Sequence, residues 1–201
     1  MKKLSLLTIL VLCLSFLFTA SSCSSEESES SSPSKHPIEK FIEKLEKAES
    51  CEITITMSNI PYIGTYSTVM KLDGNIQYTP ADIFGEEETY VETVGDIEYV
   101  YTKNSYGQWT KTINTEPDDD SDEELMEMLF NPDNYKKVDG KKNTYKQKDG
   151  VSFGEYENVK ITIEDASCTI EMSALFEGVQ MDIKFVISKL GEVELTLPNV
   201  N

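Results

Sequence analysis

"CTIEMSALFEGVQMDIKFVIS", residues 168–188, decides the fold. Apolar side chains fall at every second position on both sides of Glu177-Gly178: Cys168, Ile170 and Met172 before it, Met181, Ile183 and Phe185 after it. A period of two puts these side chains on one face of an extended chain and the intervening Glu, Ser, Asp and Lys on the other. Two such runs with a break this short are antiparallel neighbours, because a parallel pair needs a crossover of about a dozen residues.

The same alternation spreads outward. It recurs in "CEITITMSN" (51–59) and in "TYSTVMKLDG" (65–74), where Tyr66, Thr68, Met70 and Leu72 share a face. "IQYT", "EETYVETV", "IEYVYTK" and "QWTKTI" follow, separated by turn-forming "DGN", "GD" and "NSYG". Later come "YKKVDGKKNTYKQK", "VKITIED" and, after residue 188, "EVELTLP". Two segments depart from the period. "HPIEKFIEKLEKAES" (36–50) spaces Ile38, Phe41, Ile42, Leu45 and Ala48 at helical intervals behind Pro37, and so predicts an amphipathic helix. Around 121–131, Ser121 and Glu124 have capping-box spacing and Leu125, Met128 and Leu129 form a stripe, predicting a short second helix that stops before Pro132. The fold class is α+β, mainly β: a long antiparallel meander of about ten to twelve strands, curled into a half-open barrel and packed on the two helices.

The chain begins "MKKLSLLTILVLCLSFLF", two lysines ahead of an apolar run of about fifteen residues, shorter than the roughly twenty that a membrane span needs. "TASSC" follows, ending at Cys23. Residues 1–22 read as a signal peptide and Cys23 as the first mature residue. The stretch 23–36 reads as a tether: "SSEESESSSPS" has no apolar side chain and cannot offset its ordering entropy. Such a tether spans roughly 20 Å on average and about 40 Å when stretched. Residues 37–201 form one domain.

With 36 acidic and 18 basic residues, all of the latter lysine, the net charge is −18. The absence of arginine and of any basic patch excludes nucleic acid as a partner. An anionic membrane would repel this charge, leaving a lipid to do the anchoring. Catalytic parts are sparse. His36 is the only histidine and lies at the tether boundary, so no Ser/His/Asp or Cys/His set can form within the domain. Asp118, Asp120 and Asp122 have calcium-loop spacing, but Glu123 stands where that loop needs glycine and Leu129 where it needs glutamate. No metal, cofactor or enzymatic activity is expected. Cys13 leaves with the signal and Cys23 takes the lipid. Cys51 and Cys168 remain as a possible disulfide or as two buried thiols, and the sequence leaves both open.

Two resemblances carry further expectations. "ASSC" resembles the lipobox of bacterial lipoproteins, with Ala20 where the pattern usually has leucine, and implies diacylglycerol on Cys23 and a place on the extracytoplasmic face of the cell membrane. The order of signal, cysteine, tether, helix and meander resembles bacterial lipoproteins of the LolA/LppX type, half-open β-barrels plugged by helices. "VGDIEYVYTKNSYGQWTK", with Gly107 and Trp109, is similar to a hairpin of that family; "FVISKLGEVELTLPNV", with Gly191 at a turn and Pro198 ending the last strand, is similar to its closing hairpin. The resemblance implies a non-catalytic carrier of a hydrophobic ligand, a lipid or acyl chain, in the concave face of the sheet. Candidate cavity residues are Phe41, Leu45, Met57, Tyr66, Met70, Met172, Phe176, Met181 and Phe185. The same residues would equally fill a dry core, in a lipoprotein that acts through its surface. The turn "KNSYGQW" and the acidic segment 116–124 would then be its contact features.

Overall fold

A computed structural model describes residues 35–95, 97–114, 121–176 and 178–200, with 121–124 described by backbone alone. The expected signal 1–22, Cys23, the expected tether up to residue 34 and the acidic residues 116–120 lie outside the described residues.

Among the described residues there are eleven strands in one antiparallel sheet. The first six are β1 (Ser50–Ile60), β2 (Gly64–Asp73), β3 (Ile76–Thr79), β4 (Thr89–Val94), β5 (Ile97–Lys103) and β6 (Trp109–Ile113). The others are β7 (Tyr135–Lys137), β8 (Thr144–Gln147), β9 (Tyr156–Ile163), β10 (Cys168–Phe176) and β11 (Val179–Ser188). Their order is β6-β5-β4-β3-β2-β1-β11-β10-β9-β8-β7, and the sheet is not closed into a barrel. The expected single meander is therefore two. The chain starts in the middle of the sheet, walks to one edge, crosses to the other and walks back until β11 meets β1. The crossing carries helix α2 (Ser121–Phe130) and a 3-10 turn at Pro132–Asn134.

The period of two is realised in the burial. Cys51, Ile53, Ile55 and Met57 on β1 are buried, as are Met181, Ile183, Phe185 and Ile187 on β11. Their register sets Ile53 against Met70 on one side and Ile187 on the other, with Ile187 in turn opposite Cys168. Helix α1 (Pro37–Ala48) lays Ile38, Phe41 and Leu45 onto this face, all at most 1% exposed, while Ile42 and Ala48 are half-buried. His36 caps the helix: its Nδ1 accepts from the Ile38 N–H at 3.3 Å, and Glu39 reaches back to the His36 N–H at 2.7 Å. From α2, Leu129 and Met126 enter the core, and Leu125 and Met128 pack at its border. The stripe expected on α2 is thus shifted toward Met126.

One expected strand is absent. "EVELTLP" does not form a strand. A hairpin after β11 would need a free edge there, but β1 and β10 already occupy both sides of β11. The chain turns at Lys189–Gly191 instead and runs across the end of the sheet. The Gly191 N–H donates to the Ser50 carbonyl at 2.9 Å, the Val193 N–H to Ser50 Oγ at 3.3 Å and the Leu195 N–H to an Asp73 carboxylate oxygen at 2.7 Å. The closing hairpin expected from the resemblance, with Pro198 ending a strand, is replaced by this tail.

Candidate functional site

The core-bearing face collects most of the expected cavity residues. Phe41 and Leu45 from α1 meet Met57, Met70, Met172, Met181 and Phe185 in one buried cluster, with Tyr66 half-buried at its border. Phe176 does not join it. That residue is 40% exposed, where the β10 alternation runs past Ala174 to the hairpin tip. The central members Leu45, Ile53, Met70 and Cys168 have no exposed surface, and Phe41, Ile55 and Leu72 only 1%. Accessible surface on such side chains would appear if a water-sized space adjoined them, so they touch protein on every side. Among the described residues, every buried side-chain nitrogen or oxygen has a hydrogen-bond partner.

Cys51 and Cys168 are free and buried. Cys168 lies opposite Ile187 on β11, and Ile187 lies opposite Ile53, two residues along β1 from Cys51. The thiols thus share a face but are separated by a whole strand. Two strand spacings, about 9.6 Å, exceed the span of a disulfide, whose Cα atoms stand about 4.4–6.8 Å apart. Burial pushes the Cys51 thiol up to about 12 and raises that of Cys168 as well.

At the end of this face away from α1, apolar groups are left uncovered. Tyr62 and Ile63 in the β1–β2 turn, Ile83 and Phe84 in the β3–β4 loop, and Phe176 and Val179 around the β10–β11 turn are all exposed. They belong to loops at the same end of neighbouring strands, and Phe84 sets its ring edge-on to Tyr66 at 5.5 Å.

The outer face was not legible as a site. Register brings Lys136 on β7 opposite Lys146 on β8, and Lys146 opposite Lys160 on β9. The row continues to Glu171 on β10 and Lys184 on β11. Lys136, Lys146, Lys148 and Lys160 line a shallow depression of about 590 Å³ with Asn158 and Glu157. Lys136 pairs with Asp149 at 2.7 Å, and Lys160 pairs with Glu171. The expectation of no basic patch is thereby corrected. The signal was present in "YKKVDGKKNTYKQK", which holds six lysines and one aspartate, but the net charge of the whole chain hid it.

On the other wing the outer face is aromatic. Tyr78, Tyr90 and Trp109 stand in contact across β3, β4 and β6, with ring centroids 4.8 Å and 5.4 Å apart. The Lys111 Nζ sits 3.8 Å from the Tyr99 ring centroid and 4.8 Å from that of Tyr101. "KNSYGQW" forms the expected β5–β6 turn, with Gly107 at φ 78° and Tyr106 exposed. Among the described residues, no helix is long and apolar enough to cross a membrane.

Compared with known proteins, the sequence matches no family model and no curated protein sequence.

Proposed function

We propose that this chain is a lipid-anchored extracytoplasmic protein without catalytic activity, whose domain acts through its surface. In this reading the sheet is a half-open barrel curled around α1, and Cys23 carries the lipid. The carrying observation is the close packing of the core face: residues that a ligand would need to touch, Leu45, Met70 and Phe185 among them, are in contact with other side chains instead. The lysine-lined outer face and the exposed turns are then the working surfaces. A second reading, a carrier of a hydrophobic ligand, draws support from one feature. Phe176 and Val179 extend the inner face past the packed core and remain exposed, as the mouth of an opening cavity would.

Native mass spectrometry of residues 35–201, followed by solvent extraction and lipid analysis, separates the two. The expected result is the bare polypeptide mass, unchanged after incubation with phospholipid or fatty acid. A reproducible co-purifying lipid would replace the first reading with the second. For the anchor, the full chain made in a bacterial host should carry a diacylglycerol mass on its N-terminal peptide, and Cys23→Ala should abolish it.

A further inference from the structure

We infer that the outer face of the β7–β9 edge is a docking surface for an anionic bilayer, the same bilayer to which Cys23 ties the chain. This inference rests on the lipid-anchored reading. It starts from an arrangement that folding alone disfavours. Like charges directly opposite one another across strands repel, yet Lys136, Lys146 and Lys160 are aligned on neighbouring strands. The chain has twice as many acidic residues as lysines, so an alternating row was easily available.

Edge protection accounts for part of this. Lysines on a short outermost strand discourage pairing with another sheet, and Lys136 and Lys137 on β7 fit that role. Lys146 and Lys160 lie on interior strands and gain nothing from it. Carboxylates are also at hand: Asp149 meets Lys136, Glu171 meets Lys160, and Glu157 borders the depression. Lys146 has no ion pair of its own among those found in the described residues, and Lys137, Lys141, Lys142 and Lys148 are exposed around it. The β7–β8 hairpin is therefore locally cationic on a molecule that is elsewhere acidic.

The position of the tether chooses the partner. The described chain begins at Lys35, and the His36 ring lies 4.6 Å from the ring of Tyr145 on β8. Tyr145 is directly opposite Lys137 on the edge strand. Tyr145 belongs to the core face, so the lipid-bearing segment enters the fold at the core side of the same edge, across the sheet from the lysine row. A tether of twelve residues from Cys23 to Ser34 keeps that hairpin within roughly 40 Å of the headgroups at most. Anionic headgroups would supply the charge that the lysine row lacks, while acidic surfaces further than about 10 Å from the bilayer are screened.

The test uses the full lipidated chain in vesicles of phosphatidylcholine alone or with one-third phosphatidylglycerol. Flotation in high salt reports the anchor, and amide hydrogen exchange reports the hairpin. The expected result is flotation with both vesicles, and at least threefold slower exchange over residues 135–150 on the anionic ones only. Raised salt, or the combined substitutions Lys141→Gln, Lys142→Gln and Lys146→Gln, should remove that protection while the exchange of β1 and β11 stays the same, which shows the variant is folded. Flotation with equal hairpin exchange on both vesicles would overturn the docking surface and leave the anchor standing. Failure to float with either vesicle would overturn the anchor, and the docking inference with it.

Discussion

His36 begins α1 with an imidazole where a hydroxyl or carboxylate usually caps, and this makes the helix start sensitive to acid. Its Nδ1 must be unprotonated to accept the Ile38 N–H. Partial burial lowers its pKa from 6.5, against the opposing pull of Glu39 and Asp133. A depressed pKa means the stabilising contribution is present above pH 6.5 and is lost as pH falls through the lower folded value. His36→Asn, a better cap, should remove this acid dependence, whereas His36→Ala should cost about 1 kcal/mol near neutral pH, both read from urea melts. The two thiols act at the opposite end of the scale. Their folded pKa values lie above the ordinary value of 9.0, so the native state holds protons that the unfolded chain has released. Stability should decline as pH rises from about 9 toward 12, and this slope should lessen in the double Cys→Ala variant. In the native protein neither thiol should react with an aromatic disulfide reagent at pH 8; rapid reaction would show that the core opens.

Among elements, α1 was the clearest in the sequence, because Ile38, Phe41 and Leu45 give a stripe only a helix can use. Leu45→Ala should cost about 2–5 kcal/mol, since the residue is wholly enclosed and α1 is the main cover over the central strands. The strands were equally legible wherever one face is buried. "EVELTLP" was misread for a reason local sequence does not contain: its alternation is real, but its only possible partners were already paired. The β4–β6 wing behaves differently from the centre. Its residues are mostly half-exposed on both faces, with Tyr101 alone buried, and its aromatic contacts lie on the side opposite the core. Amide exchange should therefore be faster in β4–β6 than in β1 and β9–β11, and Trp109→Ala should raise it further in the wing without moving the global melt by more than about 1 kcal/mol. Coincident exchange in both halves would mean that the wing is not an independent unit.

At the scale of the molecule, composition and spatial charge tell different stories. A net charge of −18 describes the chain, while the register of β7, β8 and β9 gathers lysines that are dispersed in sequence: Lys136 and Lys160 are 24 positions apart yet lie two strands from one another. The same holds for the cysteines. Alternation placed Cys51 and Cys168 on the correct face, but only the strand order shows that β11 stands between them. Residue types can be read from a line of text, where a missing second histidine is visible. Surfaces could not be read that way, since they are properties of pairing.

The pairing of β1 with β11 also governs the order in which the molecule can be made. The centre of the sheet joins residues 52–58 to residues 182–188, so its defining contacts close a loop of more than a hundred residues. Until the ribosome has released nearly the whole chain, β1 has a partner on one side only and α1 lacks much of the surface it covers. High contact order of this kind slows folding. Under the export proposed above, that delay would be useful: the domain could complete itself only after its last strand had arrived on the far side of the membrane.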